Sequence, residues 1–582
     1  MDKRDLIADV LKKIAILLEL KGENAFKVRA YRTGSEIVET YSGDFIKLAV
    51  DDNLKDIKGI GTALAQKIHE LATTGKLEYF ENLKTEFPKS IFDLFTISNL
   101  GPKKIKVLYD QLGIDSISKL KQCCESGKVE SISGFGKQSV SKILDSISFH
   151  ENNANSFRLG DVAPIAETII EFLRSNPDTE QAAIAGSYRR GKEILHDLDF
   201  IVSTKSPESV INSFVNMDTV AEIISHGKTK SSIRLDNGLQ CDLRAVSNAE
   251  YPFTLNYFTG SKRHNIEVRA LALKKGYKLN EYGLTPKTEG KEHDPISEKI
   301  HTESDLYEAL GLKMIHPSLR ENSGEIEAAA KNQLPELVKI ENLRGTFHNH
   351  TTASDGKNTL KEMAEAAEGL GLQYLGISDH SKSSVQANGL SAEKLLAQIK
   401  EIESLNDSFS NDFRIFAGVE CDILKDGTLD YDDEILSELD YCIASIHSSF
   451  SLSEKEMTSR IIKAIENPHV TMIGHLTGRL LLSRKPYSVD VSKVIDACTS
   501  NRTHIEINAN PRRLDMDWRW WREAKNKGVK CSINPDAHRI EHFQFLHFGV
   551  KIAQKGWLGP DDIINCLPLN KIEPMLNLKQ TR

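Results

Sequence analysis

The chain has 582 residues, too many for one hydrophobic core, so several domains are expected. Hydrophobic residues make up 40% and charged residues 27%, ordinary proportions for a soluble protein, and no apolar run is long enough to cross a bilayer. The net charge of −8 excludes a surface coated in basic residues, so nucleic acid would have to be held by local clusters and backbone amides.

The chain opens Met1-Asp2-Lys3-Arg4-Asp5, which lacks the apolar core of a signal peptide. Eight cysteines are scattered without a C-x-x-C pair, Cys123-Cys124 being the only close couple. That argues against a disulfide framework and a Cys-based zinc site, and it fits a reducing cytoplasm. The first 150 residues contain a repeat. Lys58-Gly59-Ile60-Gly61-Thr62, Asn99-Leu100-Gly101-Pro102-Lys103 and Ser133-Gly134-Phe135-Gly136-Lys137 each follow one helical pattern and start another. A tight Gly-hydrophobic-Gly turn aims the next helix's first amides outward, where they bind a phosphate without reading bases. These repeats resemble helix-hairpin-helix motifs. The middle copy carries Asn99 in place of the first glycine, and asparagine tolerates left-handed backbone angles.

Ala182–Ala185 reads as a short buried strand. Gly186-Ser187 then turns the backbone and leaves amides and a hydroxyl to hold a phosphate, followed by Arg189 and Arg190. A second strand, Asp197–Val202, puts Asp197 and Asp199 on one face. Asp242 lies in a third strand-like run, Leu239–Arg244. Carboxylates crowded on one face repel unless cations stand between them, so the trio fits two divalent metals carrying nucleotide phosphates. Tyr257-Phe258-Thr259-Gly260-Ser261 follows, then Asn265 and Arg269, which share a helix face, and Leu279-Asn280-Glu281-Tyr282-Gly283.

Residues 1–315 resemble the family X DNA polymerases on these motifs. The resemblance implies that Asp197, Asp199 and Asp242 hold two Mg2+ (or Mn2+) ions. Gly186, Ser187, Arg190 and Gly260 would contact the triphosphate of an incoming dNTP. Tyr257 and Phe258 would line its sugar, and Asn265 and Arg269 would lie along the minor-groove side of the nascent base pair. Lys67 aligns with the family's lyase lysine, whose free amine forms a Schiff base with a sugar aldehyde. Lys27, Arg29, Tyr31 and Arg32 form a basic, aromatic cluster suited to a 5′-phosphate, and Tyr79 stands where animal enzymes have another basic residue. The implied domains are a helical lyase-like domain at 1–80, a helical DNA-binding domain at 81–152, a nucleotidyltransferase palm at 153–255 and a nascent-base-pair subdomain at 256–315. The DNA contacts would fall at Gly59, Gly61, Gly101, Gly134, Gly136, Lys27 and Tyr31.

Residues 316–340 read as a linker, with a charged, alanine-rich helix between two Pro-containing stretches. Seven apolar strand-like runs follow, most separated by helical patterns. Six end in ligand-type residues: His348 and His350 with Asp355 nearby, Asp379-His380, Glu420, His447, His475, and Asp536 with His538. The seventh ends in Asn508-Ala509-Asn510. Alternating strands and helices with polar strand ends describe a parallel β/α barrel with its site at the top, and nine of these His, Asp and Glu residues, all but Asp379, fit two or three metals. This half resembles the polymerase-and-histidinol-phosphatase (PHP) domain over 341–570, which implies a seven-stranded barrel. The resemblance implies His348, His350, Glu420 and Asp536 on one ion. Glu420 would bridge to a second ion held by His447 and His475, and Asp355, His380 and His538 would take a third, all Mn2+ or Zn2+. Arg479, Arg512 and Arg513 are candidates for substrate phosphates.

The expected fold is therefore a multidomain α+β polymerase core followed by a β/α barrel. The expected protein is a monomeric cytoplasmic gap-filling repair polymerase acting on gapped or nicked DNA with dNTPs. A metal-dependent 3′–5′ exonuclease would sit in the barrel, with 3′-phosphatase, abasic-site endonuclease and 5′-deoxyribose-phosphate lyase as further expected activities. The alternative is a non-templated nucleotidyltransferase fused to a small-molecule phosphoesterase.

Overall fold

In the computed structural model, residues 3–41, 45–55, 57–97, 100–153, 155–287 and 298–576 are described. The chain divides into two compact units, Met1–Ala154 with Gly356–Asn358, and Asn155–Asp355 with Thr359–Arg582.

The first unit is helical. Its helices span Lys3–Lys21, Ala25–Thr40, Phe45–Val50, Thr62–Thr74, Glu78–Thr85, Pro102–Leu112, Ile117–Glu125 and Lys137–Asn152. Apolar residues at helical spacing, such as Ile7, Leu11, Ile14 and Leu18, feed one continuous core reaching Ile143 and Ile147. Asn24 caps the second helix and Ser116 the one at Ile117 by accepting backbone N–H bonds.

The second unit begins with a two-stranded ribbon, β1 (Phe157–Arg158) paired with β3 (Ile194–Leu195). Its main sheet contains β2 (Gln181–Ile184), β4 (Asp197–Ser203), β5 (Val220–His226), β6 (Lys230–Leu235) and β7 (Gln240–Val246), in the order β2-β4-β7-β6-β5. The β4–β7 pair is parallel and the other pairs are antiparallel. Helices Tyr251–Thr259 and Lys262–Lys274 follow, then the hairpin of β8 (Tyr277–Leu279) and β9 (Leu284–Pro286).

The last part is a barrel of seven parallel strands in sequence order: β10 (Gly345–Thr346), β11 (Tyr374–Ile377), β12 (Arg414–Asp422), β13 (Tyr441–Ser445), β14 (Met472–Ile473), β15 (His504–Asn508) and β16 (Cys531–Asn534). The two ends of the sheet are joined by a parallel bridge between Asn349 and Ala537. Connecting helices start at side-chain caps: Thr359 with Glu362, and Ser453 with Glu456, form reciprocal capping boxes. Leu, Ile and Val between strands and helices form the outer core, while Phe347, Tyr374, Phe416 and Tyr441 fill the interior with Ile572 and Leu576 of the last helix.

Residues 316–340, expected to be a linker, are instead folded into this unit. Pro317, Ser318, Leu319 and Ala329 are buried, and Leu319 and Ala329 share a core with Tyr307 and with Trp557 of the barrel. Arg320 is wholly buried and donates to Glu303 Oε1 at 2.6 Å and to Asn256 Oδ1 at 3.2 Å. A charged, alanine-rich pattern looks solvated in isolation, but here it is held by partners distant in sequence.

Candidate active sites

In the main sheet the parallel register sets Asp199 directly opposite Asp242, with Asp197 on the same face two residues earlier. All three carboxylates are half-buried. Burial raises Asp199 to about 7, and Asp197 and Asp242 add to the rise. Burial and then Asp242 push Asp197 up as well. Such a trio favours cations. Gly186 opens a helical turn (Gly186–Arg189) at φ 60, and a Cβ there would fall 2.1 Å from Asp199 Oδ2. Only glycine lets the phosphate-type turn reach the carboxylates this closely. Ser187 is half-exposed on the same turn.

Arg190 closes that turn. Its Nη1 donates to the Thr259 carbonyl at 2.5 Å and its Nε to Glu321 Oε1 at 3.1 Å. Gly260 has φ 68, and a Cβ there would lie 3.2 Å from Arg190 Nη1. Tyr257 and Phe258 meet edge-on at 5.1 Å, and the Arg244 guanidinium sits 4.0 Å from the centre of the Phe258 ring. Asn265 donates to the Tyr257 carbonyl at 2.7 Å, while its buried Oδ1 has no hydrogen-bond partner among the described residues. Asn265 and the exposed Arg269 line one small cavity with Tyr257, Leu279 and Asn280.

In the helical unit Gly61, Gly101 and Gly136 each stand at the N-cap of a helix with no side-chain cap, and a Cβ on any of them would meet open space. Gly59 and Gly134 have φ 97 and φ 90, the left-handed turn that suits glycine. Asn99 lies outside the described residues. Lys67 donates to the Ala63 carbonyl at 3.2 Å and lies 5.0 Å from the centre of the Tyr79 ring. Tyr79 stacks on the buried Tyr31 at 6.2 Å, and Lys27 pairs with Glu23 at 3.2 Å. Arg32 is paired with Glu19. Tyr79 thus joins the Lys67–Tyr31 cluster.

At the top of the barrel all nine ligand-type residues converge. His348 Nε2 lies 3.4 Å from Glu420 Oε2 and 3.7 Å from Asp536 Oδ1, and His350 Nε2 lies 3.4 Å from Asp536 Oδ1. Glu420 Oε1 is 3.2 Å from His447 Nε2 and 2.9 Å from His475 Nε2, while its Oε2 is 3.0 Å from His380 Nδ1. Asp355 Oδ2 is 3.6 Å from His380 Nε2 and 3.3 Å from His538 Nε2. Three groups have the compactness a metal needs: His348, His350 and Asp536; His350, Asp355, His380 and His538; and His380, Glu420 and His447. His350 and His380 each stand in two groups, where one each was expected. His475 and Asp536 have φ 25 and φ 53, so both ligand positions hold strained backbone.

The buried His348 Nε2, both ring nitrogens of His350, His380 Nδ1 and His475 Nδ1 make no hydrogen bond among the described residues. Buried orphan nitrogens aimed at carboxylates fit metal ions. Burial opposes charging His348, but Glu506, Glu420 and Asp536 outweigh it and raise its pKa well above 6.5. Burial, then His538 and His380, lower His350. Burial lowers His475 to about 4, assisted by Arg513.

An outer ring surrounds these ligands, and of its members Glu506 and Asp422 went unnoticed in the sequence. Glu506 accepts from the buried ring of His348 at 2.6 Å, from the His475 backbone at 2.7 Å and from Asn534 at 3.0 Å. Asp422 holds His447 Nδ1, and Asp379 accepts from Thr351 and Gln398 at 2.6 Å each. The signal was a carboxylate inside an apolar strand, as in Ile505-Glu506-Ile507. Arg479, a candidate for substrate phosphate, is instead buried: it pairs with Asp517 at 2.8 Å and donates to the Arg513 carbonyl at 3.0 Å. Arg512 is exposed, whereas Arg513 Nε approaches Asp536 Oδ2 at 3.6 Å.

Fold and site together define a nucleotidyltransferase joined to a metal-binding phosphoesterase barrel. Known families match in the same order: a helix-hairpin-helix domain at 2–77, a SAM-like helix-hairpin-helix tandem at 91–148, the DNA polymerase beta thumb at 254–321 and the PHP domain at 346–510. The DNA polymerase/3′-5′ exonuclease PolX of Bacillus subtilis is 38% identical over 578 residues, 99% of each chain. DNA polymerase lambda of Arabidopsis thaliana is 24% identical over 342 residues, 54% of this chain and 61% of its own. A probable phosphatase of Thermoanaerobacter pseudethanolicus is 29% identical over 250 residues, 40% of this chain and 95% of its own. The chain belongs to the PolX family, the family X DNA polymerases that carry a 3′–5′ exonuclease.

Proposed function

We propose that the protein fills short DNA gaps at the β4–β7 site and trims 3′ ends at the barrel site. The observation that carries the first half is the parallel register placing Asp199 opposite Asp242 with the Gly186 backbone against Asp199. Asp197, Asp199 and Asp242 would hold Mg2+ or Mn2+, which activates a primer 3′-hydroxyl and neutralises the leaving pyrophosphate. Ser187, the amides of the Gly186 turn and Arg190 bind the triphosphate. Tyr257 and Phe258 pack against the sugar, and Asn265 and Arg269 follow the minor groove. The free amides after Gly61, Gly101 and Gly136 hold DNA phosphates without reading sequence.

In the barrel the nine-residue cluster would hold two or three Mn2+ or Zn2+ ions that activate water and stabilise a departing 3′-oxygen. Glu506 and Asp422 orient His348 and His447 toward the ions. A second reading, removal of 3′-phosphates, is favoured by the likeness to a probable phosphatase, 29% identical over 250 residues. Abasic-site incision would use the same site, and Lys67 beside Tyr79 and Tyr31 is the proposed lyase amine. The protein is proposed to act as a cytoplasmic monomer; no helix among the described residues is long and apolar enough to cross a membrane.

The test is incubation with a 5′-labelled gapped duplex, with and without dNTPs, across Mg2+, Mn2+ and Zn2+. Extension with dNTPs and shortening without them are expected. Nucleotide addition to single-stranded ends without preference for the gap would favour the non-templated alternative.

A further inference from the structure

The barrel helix Leu546–Lys555 lies against the phosphate-type turn of the polymerase site. Phe548 joins the palm core, Lys551 Nζ sits 4.6 Å from the centre of the Tyr188 ring, and a Cβ on Gly191 would touch Lys551 at 3.5 Å. The last residue of this helix, Lys555, is 1% exposed, a rare setting for a lysine. Its Nζ donates to the Arg190 carbonyl at 3.0 Å and to Glu321 Oε1 at 2.6 Å. The same Glu321 oxygen accepts from Arg190 Nε at 3.1 Å. Lys192 approaches the other Glu321 oxygen at 3.6 Å, and both lysines face the Trp518 ring, Lys192 at 5.4 Å and Lys555 at 4.8 Å.

We propose that Lys555 of the barrel is a positioning residue for nucleotide binding in the polymerase site, acting through Glu321 on Arg190. It rests on the reading of Arg190 as a triphosphate ligand. Lys555 touches Arg190 twice, directly at its backbone and indirectly at its guanidinium. The backbone bond fixes where the turn ends. The shared carboxylate fixes the plane of the guanidinium while its charge is divided among three cations. Without Lys555 the Arg190 carbonyl loses a buried donor, and Glu321 is left to draw the guanidinium away from an incoming phosphate. Both changes weaken triphosphate binding, and neither touches the barrel's metal cluster.

The experiment uses the full-length protein, gapped duplex DNA and a single templated dNTP. Lys555→Met is expected to raise the KM for dNTP about tenfold, the loss of one charge-assisted hydrogen bond. Its kcat and its rate on 3′ ends should be unchanged. Lys555→Gln, which keeps a donor without the charge, is the milder second variant should the first fold poorly, and it too should raise KM. In an Arg190→Ala background, where only the backbone contact at 190 remains, the effect of either substitution should shrink markedly, which a general loss of stability would not produce. An unchanged KM in either folded variant, or a rise of the same size without the Arg190 side chain, overturns the proposal. Unchanged KM in Arg190→Ala alone would instead refute Arg190 as the phosphate ligand.

Discussion

Asp199→Asn should stabilise the metal-free protein at neutral and alkaline pH, although it removes a residue placed at the centre of the site. The ordinary carboxyl value of 3.8 is raised to about 7 in the folded chain, first by burial and then by Asp197 and Asp242. Below the ordinary value both folded and unfolded chains hold the proton, and the native state loses nothing. As pH climbs toward about 7 the unfolded chain ionises while the folded one resists, so stability falls, and the loss is complete above the folded value. At about 1.4 kcal/mol per pH unit the rise is worth at most ~4 kcal/mol. Asp199 is only half-buried, so solvent screening reduces the expected gain to ~2 kcal/mol. Asparagine cannot ionise and escapes the loss. The assay is urea unfolding in EDTA from pH 4 to pH 8.5, followed by tryptophan fluorescence, since Trp518, Trp520, Trp521 and Trp557 all lie in the second unit. The variant's advantage should be near zero at pH 4, full at pH 8, and narrowed by adding Mg2+, which binds the wild type alone. A variant no more stable than wild type at pH 8 in EDTA would refute the electrostatic account of the trio.

Asp242→Ala should reduce nucleotide addition to background while 3′-end degradation persists, because the two clusters are built on different sheets; primer extension and degradation by one preparation check this. Glu420→Ala should abolish degradation, since Glu420 lies within 3.4 Å of His348, His380, His447 and His475. Glu506→Gln, which touches His348 from behind, should leave activity at saturating Mn2+ and weaken apparent metal affinity about 10–100-fold, read by Mn2+ titration. Borohydride should trap the wild type on an incised abasic site, and Lys67→Ala should lose most of that trapping; equal trapping would point to another amine.

What could be read from the sequence were features whose residues lie close together along the chain. Strand alternation placed Asp197 and Asp199 on one face, and six of the seven barrel strands carried their ligands at their own ends, so pattern and site coincided. The hairpins were visible because the left-handed turn and the uncapped helix start leave glycines at fixed spacing. What stayed hidden depends on contacts between distant segments. Residues 316–340 look solvated until Trp557 and Glu303 are brought beside them. Arg479 read as a candidate for substrate phosphate because Asp517 and the Arg513 carbonyl meet it only through the barrel's turns.

The same distinction separates two kinds of residue around the sites. Ligands at strand ends have a local reason to be polar and can be recognised singly. Glu506, Asp422 and Lys555 are charged inside apolar surroundings, and nothing within a few residues accounts for them. Burying such a charge is costly unless a partner waits in the fold. A charged residue in an apolar run is therefore a pointer to a distant partner: for Glu506 the partner is His348, for Asp422 it is His447. For Lys555 it is Glu321, which carries the contact across from the barrel to Arg190 at the polymerase site.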